Sequence, residues 1–128
     1  MGKTILIIDD DVDFQFMVGS MLRTCGYEVR TLLEGKLNMA VDIASKCEMV
    51  LLDIELPGLN GVDLGKELRA SPKTSNIPII LVSGHNNVDE MFIQSQATSF
   101  IRKPFSLTTL VNKVQALLVP PVKQLTAQ

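Results

Sequence analysis

The stretch Met49-Val50-Leu51-Leu52-Asp53-Ile54 decides how this chain folds. An apolar run of strand length delivers one carboxylate, Asp53, and the chain then turns through Glu55, Leu56, Pro57, Gly58, Leu59, Asn60 and Gly61. A strand with no polar alternation is covered on both faces, as the central strands of parallel sheets are. An acid at its C-terminal end lies where open α/β sheets place their chemistry, in the crevice beyond the carboxyl edges of the strands. An Asp in that place also serves as a turn cap, and for a lone Asp that is the commoner use. Other acidic stretches have to decide between the two.

Working outward towards the N-terminus, Thr4 to Ile8 (TILII) is a second apolar run, and it ends in Asp9, Asp10 and Asp11. Phe14, Met17, Val18, Met21 and Leu22 then recur at helical spacing as far as Cys25, with Gly26 as a stop and the acids at the positive end of the helix dipole. Tyr27 to Leu32 alternates weakly and reads as a strand, and Leu37, Ala40, Val41 and Ala44 mark a helix ending near Cys47. Downstream, a helix from Val62 to Ala70 puts Leu64 and Leu68 inward, and Ser71 to Pro78 is a loop by composition. Ile79 to Val82 forms a strand running into Ser83, Gly84 and His85, and a short, poorly patterned helix is expected from Val88 to Ser95. Ser99 to Arg102 makes a last strand ending in Lys103-Pro104, and Leu107, Leu110, Val111, Val114, Leu117 and Leu118 give a clear final helix before Pro120-Pro121. Residues 120–128 read as a tail or linker, which leaves 3–119 as one domain.

Five strands alternating with five helices point to an α/β fold, a single doubly wound parallel sheet with helices on both faces. Crossovers of this kind are right-handed, so the C-terminal ends of all the strands share one edge. That edge collects Asp9 and Asp10 after the first strand, Asp53 after the third, Ser83 after the fourth and Lys103 after the fifth. Each has a bland use as a cap, a turn residue or a solvated cation; four such coincidences on one edge make the bland uses improbable together.

Composition narrows the function classes. The 128 residues carry 12 Lys and Arg against 14 Asp and Glu, a net charge of −2, so nucleic-acid binding through a domain-wide basic field is not expected. Cys25 and Cys47 are too few for a metal knuckle, and both read as free, partly buried thiols of a reducing compartment. No cleavable leader is visible after Met1, and no apolar run is long enough to span a bilayer, so a cytoplasmic protein with no membrane contact is expected.

Three carboxylates brought close together repel, which raises a pKa or calls for a cation. Hard oxygen ligands with room for water suit Mg²⁺. With the metal present a carboxylate can stay ionised and attack a phosphoryl group, giving an acyl phosphate. Such a transfer is mainly positioning and neutralisation of charge on the equatorial oxygens, for which a metal, an ammonium and a hydroxyl are suitable partners. Asp9, Asp10, Asp53, Ser83 and Lys103 supply that set.

With IIDDD, LLDIELPGLNG, ILVSG and IRKPF at these intervals, the chain resembles the receiver domains of two-component response regulators, the single-domain CheY-like type, from Lys3 to Leu118. The resemblance implies a flavodoxin-like sheet of order 2-1-3-4-5. It makes Asp53 the phosphoacceptor, with Mg²⁺ held directly by Asp10, Asp53 and the backbone carbonyl of Glu55, and by Asp9 through water. Lys103 matches the phosphate-binding lysine, Ser83 the switch hydroxyl and Phe100 the switch aromatic, and the Lys103-Pro104 peptide is expected to be cis. The implied partners are a histidine kinase or phosphotransfer protein as donor and a downstream protein or fused output domain as reader. The face of the fourth helix, fifth strand and fifth helix would carry the switch and could carry a homodimer contact. Such a domain is no turnover enzyme; it catalyses only its own phosphorylation and dephosphorylation.

Some positions depart from the commonest pattern. Phe100 replaces a frequent Tyr, Leu56 a frequent Met, and Gln96 stands where a Gly often ends the fourth helix, so an irregular helix end is expected there. Glu55 and His85, two places after the acceptor and the switch serine, either tune water access or are plain loop polarity. A flavodoxin-like carrier would need a phosphate cradle where this chain has three aspartates, and Gly58 and Gly61 lack the spacing of a dinucleotide loop. An aspartyl-phosphate hydrolase would explain Asp9 and Asp11 but leave Asp53 and Lys103-Pro104 idle. A phosphorylation-independent pseudo-receiver, a binding module of the same fold, is the remaining alternative; such modules usually lack one of the acids or the lysine, and this chain keeps them.

Overall fold

The computed structural model describes residues 2–34, 36–56, 58, 60–84 and 86–118. Strands β1 (Thr4–Ile8), β2 (Glu28–Leu32), β3 (Met49–Asp53), β4 (Ile79–Ser83) and β5 (Ser99–Arg102) alternate with helices α1 (Val12–Thr24), α2 (Leu37–Ala44), α3 (Gly61–Ala70), α4 (Val88–Ser95) and α5 (Leu107–Leu118). The strands form one sheet in the order β2-β1-β3-β4-β5, and every neighbouring pair is parallel. Every residue of β3 and β4 is buried, as continuous apolar runs require, whereas the edge strand β2 is largely exposed.

Alternate strand residues feed two separate cores. Leu6, Ile8, Val50, Leu52, Ile79 and Leu81 pack with Ala40, Ala44, Leu64, Leu68 and Val88 of α2, α3 and α4. On the other face Ile5, Ile7, Met49, Leu51, Ile80 and Val82 pack with Val18, Leu22, Leu110 and Val114 of α1 and α5. Each apolar strand is thus shared between two helical layers, which is why it shows no alternation.

Helix ends follow local chemistry. The Asp11 side chain caps α1 by accepting from the Phe14 N–H, and the Asn60 side chain caps α3 by accepting from Val62 N–H. After α1, Gly26 adopts φ +97°, and the Gly26 and Tyr27 N–H groups return to the carbonyls of Arg23 and Leu22, closing the helix in a Schellman arrangement. The expected irregularity after α4 is present: Gln96 takes a left-handed φ of 62°, and its carbonyl accepts from Arg69 Nε at 2.8 Å.

Three expectations need correction. Met17 does not join the inward face of α1: it is 51% exposed, and Gln15, at helical spacing from Val18 and Leu22, takes the buried place. The thiols differ, Cys25 being exposed and Cys47 buried, because Cys25 caps the end of α1 while Cys47 leads into β3. The second helix ends at Ala44, short of Cys47. The expected tail, 120–128, lies outside the described residues, and no helix among those described is long and apolar enough to cross a membrane.

Candidate functional site

The sheet register places the site. Ile8 pairs with Leu52 and Asp53 with Val82, so the residues following β1 and the last residue of β3 come level at one edge. Asp9 is the first residue past β1 and is 1% exposed; one of its oxygens accepts the Asp11 N–H at 2.9 Å. Its other oxygen, Oδ2, is buried and has no hydrogen-bond partner among the described residues, although Lys103 Nζ stands 3.7 Å away. Asp10 is exposed, yet carboxylate oxygens of Asp9, Asp10 and Asp53 all come within 4.8 Å of one another.

Electrostatics follow from this crowding. The Asp53 carboxyl is raised to about 6, by burial first and by the Asp9 carboxylate second, against the opposing pull of Lys103 and a backbone hydrogen bond from Glu55. Asp9 is raised by the same burial, against the opposing Asp11 hydrogen bond and Lys103. Gly61 permits a close approach of backbone to backbone beside Asp53: its N–H donates to Ile54 O at 2.8 Å, and any Cβ there would collide with the Asp53 carbonyl oxygen.

Ser83 closes β4, buried, and its carbonyl accepts the Lys103 N–H at 2.8 Å, so the β4–β5 pairing sets the serine and the lysine side by side. The Lys103-Pro104 peptide is cis. Phe100 lies apart from the carboxylates, half-buried on the α2–α3–α4 face of β5, with its ring 5.1 Å from that of Phe92 in α4. The side chain of Glu55 is exposed, and His85 lies outside the described residues.

The donor set fits Mg²⁺. Three hard carboxylates meet, one of them with a buried oxygen that lacks a hydrogen bond among the described residues and one facing solvent, leaving room for the waters that this ion retains. Asp9, Asp10 and Asp53 are the residues that could hold it.

The structure also adds residues that the sequence did not single out. The Gln15 amide nitrogen donates to the carbonyls of Asp9 at 2.8 Å and Leu32 at 2.7 Å, tying the acidic loop to the end of β2. A glutamine on the apolar stripe of α1, three residues before Val18, was the available signal. Phe14 lies under Lys103, the ammonium 4.7 Å from its ring centroid, and Phe105 meets Phe14 edge-on at 6.0 Å. Phe105 follows Lys103 by two residues within IRKPF, but no local pattern couples Phe14 to a lysine so far along the chain.

A parallel 2-1-3-4-5 sheet with three carboxylates, a hydroxyl and a lysine on its C-terminal edge defines a class, and the comparisons agree with it. The chain belongs to the response regulator receiver domain family, whose model matches residues 5–115. It is 34% identical over 120 residues to the phosphate regulon transcriptional regulatory protein PhoB of Pseudomonas aeruginosa, covering 92% of this chain and 52% of that protein. The chain thus spans about half the length of the curated relatives it matches. Among solved structures, chemotaxis protein CheY4 of Vibrio cholerae superimposes with a TM-score of 0.82 at 25% identity, covering 92% of this chain and 100% of that one. The receiver domain of a sensor histidine kinase from Pseudomonas aeruginosa, with a magnesium ion coordinated in its active-site cleft, gives a TM-score of 0.82 at 28% identity, covering 91% of this chain and 98% of that one.

Proposed function

We propose that residues 3–119 form a receiver that accepts a phosphoryl group on Asp53 from a histidine kinase or phosphotransfer protein and presents an altered face to a partner. The observation that carries this reading is the meeting of three carboxylates within 4.8 Å, with the Lys103 ammonium 3.7 Å from the buried oxygen of one of them. A bound Mg²⁺ would neutralise phosphoryl oxygens there, held directly by Asp10, Asp53 and the Glu55 carbonyl and by Asp9 through water.

The rest is the work of the chain. An Asp53 oxygen attacks phosphorus; the O–P bond forms as the donor's N–P bond breaks, and the electron pair leaves with the imidazole nitrogen. Near neutral pH, above the value of about 6, Asp53 is mostly ionised and able to attack. Lys103 swings from Asp9 to pair with a phosphoryl oxygen, and the Ser83 hydroxyl donates to another. Phe100, half-buried against Phe92, moves inward into the space Ser83 releases, which biases the α4–β5–α5 face. That face would be read by a downstream protein or a fused output domain, and would be the contact for a homodimer. Likeness to a transcriptional regulator twice this length favours a fused output, which would then contact nucleic acid while this domain does not. The family membership favours a cytoplasmic signalling domain that acts catalytically only on its own acyl phosphate.

Intact mass after incubation with acetyl phosphate, with and without Mg²⁺, tests the reading. A Mg²⁺-dependent gain of one phosphoryl group, absent in Asp53→Asn, is expected. No gain under any condition would leave a phosphorylation-independent binding module.

A further inference from the structure

We infer that Phe14 is a positioning residue for Lys103, holding the ammonium at the mouth of the acidic site when the charge that now attracts it has been neutralised. This rests on the receiver reading of the site.

Lysine has a flexible four-carbon stem, and a cation that must meet an incoming phosphoryl group loses rotamer freedom unless it is already held. Two contacts hold it here. One is Asp9 Oδ2 at 3.7 Å, a distance without a hydrogen bond. The other is the face of Phe14, 4.7 Å from Nζ to the ring centroid. The backbone of Phe14 is anchored by its N–H, which donates to the capping Asp11 carboxylate at 3.1 Å, and Phe105 braces the ring edge-on at 89°. Lys103 lines one cleft with Phe14, Pro104, Phe105 and the capping Asp11, and its ammonium sits between the Asp9 carboxylate and the Phe14 ring.

The two contacts respond differently to a cation among the carboxylates. A positive charge at Asp9, Asp10 and Asp53 cancels most of the pull of Asp9 on Lys103. The attraction of the ring comes from its quadrupole, belongs to no carboxylate, and survives. Phe14 therefore keeps Lys103 in reach of Asp53 in the loaded site, where the lysine is needed.

The test replaces Phe14 with Tyr, Leu, and trifluoro- and pentafluorophenylalanine, the fluorinated rings losing their negative face stepwise at nearly constant volume. Two readouts are taken. The first is the ring-current shift of the Lys103 ε-methylene protons by NMR, with and without Mg²⁺. The second is the rate of mass gain from acetyl phosphate at saturating Mg²⁺. The upfield Lys103 shift is expected to persist on Mg²⁺ addition in the native protein and Phe14→Tyr, and to fade along the fluorinated series. The rate is expected to fall in step, reaching about three- to tenfold in Phe14→Leu, the range a partly exposed cation–π contact supports. A rate and a shift that ignore fluorination would overturn the inference, and the fluorinated rings decide this even if Phe14→Leu does not fold. Native protein that gains no phosphoryl group overturns the receiver reading instead, while the NMR arm still reports whether the ring holds the lysine.

Discussion

Asp53 carries a charge that the fold resists. Burial first and the Asp9 carboxylate second raise its folded-state value to about 6. The unfolded value is about 3.9, so folding favours the protonated form. The stability this contributes is complete below the unfolded value and is lost as pH rises through about 6. In EDTA, urea denaturation should therefore show the native protein losing stability from pH 4 to pH 7 relative to Asp53→Asn. The variant should end about 1–2 kcal/mol more stable at pH 7.5, a figure reduced from the full shift for solvent screening. Parallel curves for the two proteins would remove buried charge as the cause. Gln15 makes the opposite case, a buried residue whose amide nitrogen is well supplied with acceptors. Gln15→Leu strands the carbonyl of Asp9 and leaves that of Leu32 with the Asp9 N–H alone, which should cost about 1–3 kcal/mol in the same assay.

Helices α3 and α4 meet where Gly65 faces Ser95; a Cβ at Gly65 would lie 2.8 Å from the Ser95 carbonyl oxygen. Gly65→Val should force the helices apart and destabilise the protein by about 1–3 kcal/mol in thermal unfolding, through overpacking. An unchanged midpoint would mean that α4 yields without strain. At the C-terminal end of α4, Gln96 takes φ 62° without being glycine, steadied by Arg69, whose guanidinium also reaches the carbonyls of Ser75 and Ile77 and the Thr98 hydroxyl. Gln96→Gly keeps that carbonyl and relieves the left-handed strain, so a gain of up to about 1 kcal/mol is expected. The first turn of α1 carries both the Asp11 cap and Phe14, which makes this one element responsible for the acidic loop and for the support of Lys103.

The molecule as a whole is one sheet shared by two cores, with its charged edge at the strand C-termini. A cation held by that edge binds the folded state alone and should stabilise it globally. Mg²⁺ at a hundredfold excess over its dissociation constant should add about 2.7 kcal/mol, reversibly with EDTA. Asp10→Ala should lose that gain while folding normally, because Asp10 is exposed; an undiminished gain would count against Asp10 as a ligand. Sequence alone determined the strand and helix order, the strands Thr4–Ile8 and Ser99–Arg102 to the residue, and the edge shared by Asp9, Asp10, Asp53, Ser83 and Lys103. Those features are legible because hydrophobic period, turn chemistry and crossover handedness are written in local runs of residues. Only the tertiary structure decided that Met17 faces solvent while Gln15 is buried, that one oxygen of Asp9 is left without a hydrogen bond, and that Phe14 lies beneath Lys103. Each of these depends on groups distant in the chain being packed into one low-dielectric edge, where burial and neighbouring charge, rather than residue type, set what a side chain can do.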